Sequence, residues 1–522
     1  MDTKALRQKI LDLAIRGKLV PQDSNDEPAS ILLEHIRQQK QQMVKDGKLK
    51  AKDIKNDTVI FVGEDNLHYE KFQDGSVKYI EDEIPFELPE GWAWARLGTV
   101  FSTVTGATPS TKDASLYGTD YPFYKPTDLD AGYNVCGAED SVSEKGYLSG
   151  RPLPKFSVLV TCIGATIGKT GYISNAGICN QQINAVLPNS EVLSDYTYFC
   201  MCSQYEQQQI WTNSSATTLP ILNKSKFDNL LFPIPPHEQQ AQIVERIKGL
   251  FSFVEKIQSN QESLKTTVAI AKSKILDLAI RGKLVPQDPN DEPASILLER
   301  IRAEKEELIK QGKIKRDKKE SIIFKGEDNS YYLKTGELVE SLEDWAFEEL
   351  PDSWSVCCLG ELCDYGNCTN VNTTDIADSA WILDLEDIEK DSGVILQKVR
   401  QDERNAGSTK HRFHKGQVLY SKLRPYLNKV VLADEDGYCT SEILPLEFER
   451  NIHPQYARYF LMSQTFLRYA NKCSYGVKMP RLGTADGKKA IISVPPVKEQ
   501  KRIVMAIELA FAQLASITEN LT

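Results

Sequence analysis

The amino-acid sequence predicts an α+β protein: two mixed α/β domains joined by long antiparallel coiled-coil helices in a pseudo-two-fold arrangement. Three observations carry this expectation. A segment is spelled out twice, a heptad seam is shared between the chain's middle and its two ends, and like borders enclose two unlike interiors.

The repeat comes first. KILDLAIRGKLVPQD at 9–23 returns letter for letter at 274–288, and the match runs on to 37 and 302 with only Ser24 against Pro289 and His35 against Arg300 differing. The borders repeat as well. LPEGWAWARLG (88–98) is echoed by LPDSWSVCCLG (350–360), and FPIPPHEQQAQIVERI (232–247) by ISVPPVKEQKRIVMAI (492–507). Each copy thus runs from an LP…W…LG opening to a PP…EQ close. The interiors share only traces, such as Ser214…Leu219-Pro220…Leu222 against Ser474…Met479-Pro480…Leu482.

The helix after each close follows from apolar spacing. Ile243, Ile247, Leu250, Val254, Ile257, Leu264, Val268, Ala271, Ile275 and Leu278 step by 4 and 3, with Gln261 filling the one polar position. The last copy keeps the seam at Ile503, Ile507, Ala510, Leu514 and Ile517, then ends. Its second half stands at the chain start, where Leu6, Ile10 and Leu13 match Ala271, Ile275 and Leu278. The two termini therefore share one helix between them, and apolar seams of this kind pair by burying each other. Beyond each RGKLVPQD turn, Pro28 and Pro293 mark helix starts. Acidic arms carrying GED follow, which read equally as solvated linkers or docking surfaces.

The start, MDTKALRQKI, has no apolar core and no run of 18 apolar residues occurs, so neither a secretory signal nor a membrane span is expected, and a cytoplasmic location is expected. Eleven cysteines form no CxxC pair; Cys358, Cys363 and Cys368 lack zinc spacing, and reduced thiols are expected with no metal. A net charge of −10 argues against nucleic acid only as a whole-chain average. Locally the balance reverses. Residues 145–190, 207–227 and 471–485 contain no acid, and 398–430 carries nine Lys/Arg against Asp402 and Glu403, with Tyr420 and Tyr426 interleaved. Such stretches supply phosphate contacts and base-edge hydrogen bonds, and paired domains suit paired half-sites.

Catalysis finds no footing. CIGATIGKTG (162–171) has three residues between Gly164 and Gly168 where a phosphate loop needs four, and its flanks read as two strands. Neither Pro-Pro pair forms an amino-methyltransferase motif, Glu499-Gln-Lys501 opens the coiled coil, and His411 and His414 read as polar surface. Trp92, Trp94 and Trp354 are assigned to packing.

In combination, LPEGW…RLG, the ATIGK strand pair with NQQINAV, the PP…EQ close and RGKLVPQDPNDEPA resemble the specificity subunit of type I restriction-modification systems over essentially the whole chain, in the circularly arranged form with a split helix. The resemblance implies a non-catalytic DNA-reading subunit. It divides the chain into half of a split conserved helical region (1–47), an acidic arm (48–87), target recognition domain 1 (88–236), a central helical spacer (237–312), a second arm (313–349), target recognition domain 2 (350–496) and the other half of the split helix (497–522). Each recognition domain would read half of a bipartite double-stranded DNA sequence. Two methyltransferase subunits would dock on the repeated regions, and restriction/translocase subunits would join them. S-adenosylmethionine, ATP and magnesium would belong to those partners, with no cofactor in this chain.

The residues chosen for DNA contact are Thr108, Ser110, Lys112, Lys125, Lys169, Gln181, Gln182 and Lys224 in the first domain. In the second they are Arg404, Lys410, Arg412, Lys422, Arg424, Lys478 and Arg481. No catalytic or metal-binding residue is assigned. Two other readings compete: a coiled-coil scaffold whose paired domains bind proteins, and a self-contained restriction or modification enzyme. Binding of random duplex separates the first, and methyl transfer by the chain alone would revive the second.

Overall fold

A computed structural model describes every residue except 1, 216–218, 315–320, 327, 329, 343–349, 405–406 and 522. It divides into two units, Met1–Asn260 and Gln261–Thr522, each built of helices and short strands.

In the first unit, α1 (Thr3–Ile15) is capped by Asp2, whose carboxylate accepts from the N–H groups of Lys4 and Ala5. The chain then turns at Gly17 (φ +65°), where a Cβ would fall 2.4 Å from the Pro89 ring. Only glycine lets the LPEGW segment lie against this turn. α2 (Ala29–Lys45) follows, its first N–H donating to the carbonyl of Gly91 at 2.7 Å. The long helix α3 (His237–Ile280) brings its first half to this unit. It runs opposite to α1: Arg7 meets Glu255 at 3.5 Å, whereas Asp26, beyond the other end of α1, accepts from Gln239 Nε2 at 2.9 Å. The predicted seam is the protected stripe, with Ile243, Ile247 and Val254 buried and Leu250 and Ile257 half-buried.

The second unit repeats this succession with the second half of α3, α4 (Ala294–Lys310) and α5 (Val497–Leu521). Here too the long helices oppose. Lys272 lies over the Phe511 ring at 5.4 Å, and Ser493, just before α5, donates to the carbonyl of Ile280 at 2.7 Å. Ile503 and Ile507 are fully buried, while Ile517 is exposed. Met1 and Thr522, the ends of the expected split helix, lie outside the described residues.

Both arms contain folded sheet rather than open linker. The first forms an antiparallel sheet of Val59–Val62, His68–Lys71 and Val77–Tyr79; the second pairs Ser321–Lys325, Tyr331–Thr335 and Leu338–Ser341. The remaining parts of the second arm, 315–320 and 343–349, lie outside the described residues. The first sheet is anchored by buried Arg96, which donates to buried Glu70 and to exposed Glu83, each at 2.7 Å. Among the described residues no helix is long and apolar enough to cross a membrane.

The repeated border motifs are explained by one junction. Trp92 Nε1 donates to the amide oxygens of Gln22 and Gln239, both at 3.1 Å. Trp354 Nε1 donates instead to the Glu499 carboxylate at 3.1 Å, whose other oxygen accepts from Gln287 at 2.7 Å. The neighbouring glutamines also match. Gln240 accepts from the N–H of Leu193, and Gln500 from that of His453, at the foot of helices Ser194–Met201 and Pro454–Met462. All three tryptophans assigned to packing are buried.

Glu499 is 1% exposed, and burial holds its carboxyl above the ordinary glutamate range. Its ionised form is therefore disfavoured by folding, so stability is lost as pH rises through the raised value. Asp291 Oδ1 lies nearby, buried and without a partner, whereas the corresponding Asp26 accepts from Gln239. Glu499→Gln should thus stabilise the protein by about 1 kcal/mol at pH 8, with a smaller gain at pH 5, read as a shift in the urea unfolding midpoint.

Candidate nucleic-acid interface

Strands Val158–Thr161 and Thr170–Tyr172 pair antiparallel, as the flanks of CIGATIGKTG predict, and the segment between them is a tight connection rather than a phosphate loop. It is held by the main chain. Gly164 N–H donates to Pro220 O at 3.0 Å, and Ile221 bridges both Ile163 and Ser215. Gly164 has φ +95°, which glycine adopts freely.

The second unit builds the same junction from different residues. Strands Val418–Ser421 and Val430–Leu432 pair antiparallel, and Arg424 N–H donates to Pro480 O at 2.7 Å. Arg424, 260 positions beyond Gly164, is left-handed at φ +50°, a conformation that costs a side-chain-bearing residue on the order of 1 kcal/mol or more. Its Nε is buried without a partner. Against this connection packs a hairpin, Ser474–Tyr475 with Arg481–Leu482, bridged at Leu423–Arg481. The hairpin tip is unshielded: Tyr475, Val477 and Met479 are exposed, Val477 completely. Lys478 lies between them, and exposed Tyr426 belongs to the adjoining connection. The equivalent tip of the first unit, 216–218, lies outside the described residues.

The chosen residues separate into groups. Lys422, Arg424, Lys478 and Arg481 come together on this connection and hairpin, with Arg481 held by Glu442 at 2.8 Å. In the first unit, Thr108 donates to Gln181 Oε1 at 2.6 Å, and Gln182 O accepts from Cys162 N–H at 2.7 Å, so these three adjoin the Gly164 connection. Ser110 and Lys112 continue the exposed Thr108 loop. Lys169 reaches Asp130 at 2.6 Å, Lys125 pairs with Asp140 and Lys224 with Asp228. Arg412 is exposed on strand Lys410–Phe413.

Arg404 and Lys410 are placed elsewhere than the sequence reading expects. Arg404 donates to Asp384 at 2.8 Å and Asp387 at 2.7 Å, and Lys410 to Asp384 at 3.2 Å. Their side chains are 10% and 6% exposed, so this charge serves an internal cluster. Tyr420 is likewise buried, edge-on to Phe466, and His411 is buried with Nδ1 at Ile443 O. The partners Asp384 and Asp387 lie far enough back along the chain for the local charge pattern to miss them. The exposed apolar tip was also missed, because Val and Met next to Lys look like ordinary strand residues. Among the described residues no group of three His, Cys, Asp or Glu could hold a metal ion.

The family described as "Type I restriction modification DNA specificity domain" matches residues 89–266 and 351–521. The chain belongs to this family. Its matched segments begin at the two LP…W openings and end in the long helices, α3 and α5. The type I restriction enzyme EcoEI specificity subunit of Escherichia coli is 29% identical over 408 residues, 69% of this chain and 61% of that protein. The EcoAI specificity subunit of the same organism is 28% identical over 70% of this chain and 63% of that protein. The chain thus spans about three fifths of the length of these two relatives. A solved chain from work on complex assembly and conformational transition of the type I R-M system shares the fold with TM-score 0.52 at 16% identity, covering 84% of this chain and 94% of that one.

Stability measurements should separate the two kinds of cation in this specificity-domain chain. Arg404→Ala leaves the fully buried Asp387 short of its charged partner and should cost about 3 kcal/mol. Lys478→Ala should stay within about 0.5 kcal/mol of the unsubstituted protein, both read by urea unfolding.

Proposed function

We propose that this chain is the DNA-reading specificity subunit of a type I restriction-modification complex. Each unit reads one half of a bipartite double-stranded target, and the chain carries no catalytic group or cofactor of its own. The observation carrying this reading is the repeated main-chain junction, Gly164 to Pro220 and Arg424 to Pro480, which presents different side chains on one framework. Matched supports with unlike contacts suit two different sequences read once each.

The chemistry of the second junction favours a duplex. Lys422, Arg424 and Lys478 supply positive charge for phosphates, while Tyr475, Tyr426, Val477 and Met479 offer apolar groups to bases and thymine methyls. In the first, Thr108, Ser110, Gln181 and Gln182 are hydrogen-bonding side chains suited to base edges, with Lys112, Lys125, Lys169 and Lys224 on the phosphates. Arg412 and Arg481 extend the basic surface, whereas Arg404 and Lys410 support the domain behind it.

α3, 44 residues long, spans about 66 Å at 1.5 Å per residue. In this reading it is the spacer of a pseudo-two-fold coiled-coil frame and sets the distance between half-sites, up to about two turns of duplex. Two methyltransferase subunits dock on the repeated regions, restriction/translocase subunits join them, and S-adenosylmethionine, ATP and magnesium act on those partners in the cytoplasm.

Lys422→Ala with Arg424→Ala tests the interface. Titration of duplex DNA against salt, with the methyltransferase subunits present, should show weaker binding and a log–log slope shallower by about 0.9 for each phosphate contact removed. An unchanged slope rules out this junction as a phosphate contact. Methylation mapping in cells carrying the complex should return one interrupted motif; methylation without such a motif removes the bipartite reading.

A further inference from the structure

The two arm sheets share an outer face that their own folding does not explain. In the first, strand register aligns Val59, Lys71 and Val77 in one row and Phe61, Tyr69 and Tyr79 in the next. In the second the same rows read Ile322, Lys334, Val339 and Phe324, Tyr332, Ser341. The ring pairs repeat, Phe61 on Tyr69 at 5.9 Å and Phe324 on Tyr332 at 5.7 Å. Each tyrosine hydroxyl donates to an aspartate, Asp65 or Asp328, at 2.7 Å. Yet Val59, Phe61, Val77, Ile322, Phe324 and Val339 stand 38–53% exposed, and a shallow hollow of about 380 Å³ lined by Phe61, Tyr69 and Val77, with Glu64 and Asp65 at its edge, marks the first face.

The inner faces do not match in this way. Glu70, bound to Arg96, is replaced by half-buried Leu333, and Arg96 by Cys358. Ile60 and Ile323 agree, and Ile80 and Leu342, each buried just beyond the third strand with its N–H donating to the carbonyl of His68 or Tyr331, are both apolar. Beyond those shared apolar positions, the first sheet is held to its unit by the Arg96 ion pairs and the second by Leu333 against an apolar core. If packing alone governed the arms, the buried face would be the constrained one and the outer face free to become polar, as small exposed sheets usually do.

We infer that these outer faces are twin docking sites for one protein partner bound twice per chain. The partner's matching surface is apolar, closing over the Phe–Tyr pair, with a carboxylate opposite the exposed Lys71 or Lys334 and a basic group toward the Asp65 or Asp328 edge. This rests on the methyltransferase-docking reading and names the surface that serves it.

The test uses the full chain and the methyltransferase subunit of its own complex, with stoichiometry read by native mass spectrometry. Phe61→Asp should reduce two bound subunits to one, and Phe61→Asp with Phe324→Asp should abolish binding or weaken it at least tenfold. Lys71→Glu with Lys334→Glu should weaken binding without altering the thermal unfolding of the chain, which guards against misfolding as the cause. Two subunits retained at unchanged affinity by folded variants overturn the inference while leaving the docking reading intact. No subunit bound by the unsubstituted chain overturns both. If the chain alone self-associates and Phe61→Asp abolishes that, the occupant is a second copy and the inference also fails.

Discussion

The indole hydrogen bond of Trp92, and its counterpart in Trp354, is the constraint from which each unit is assembled. A buried N–H without an acceptor is costly, and whereas the indoles of Trp94 and Trp381 are buried without one, that of Trp92 is met from two other segments. Its acceptors are Gln22 from the RGKLVPQD turn and Gln239 from the start of α3. Three segments distant in sequence are thereby brought to one point: the end of the terminal helix, the opening of the interior domain and the beginning of the long helix. With the adjacent glutamine at the foot of a neighbouring helix, the position of the interior relative to the helix pair of its unit is determined. Border motifs with no catalytic content acquire a physical reason to recur.

Much of this was legible because it is periodic or duplicated. The 4–3 steps from Ile243 onward name the stripe that is protected, and the repeat places α1 and α5 as partners of the two halves of α3. The strand pair around CIGATIGKTG was readable from its flanks. The arms were not. Their acidic residues left solvated linker and docking surface equally open, but Glu70 is buried against Arg96, and an acid in a buried pair is indistinguishable in sequence from one in water.

The candidate interface was legible only in outline. Charge density pointed to 398–430, yet within that stretch Arg404 and Lys410 turn inward while Lys422 and Arg424 lie half-buried on the connection itself. The difference lies in Asp384 and Asp387, whose proximity is a product of folding. Conversely, Gly164 and Arg424 share no chemistry as residue types. The hydrogen bond each makes to a proline carbonyl, together with the flanking bridges Ile163–Ile221 and Leu423–Arg481, identifies them as the same place.

That bond joins main-chain atoms on both sides. A tie of this kind asks nothing of the side chains around it beyond tolerance of a left-handed turn, so the tip residues can be exchanged wholesale while the loop stays moored. Substitution at the exposed tip is then decoupled from the cost of refolding the unit.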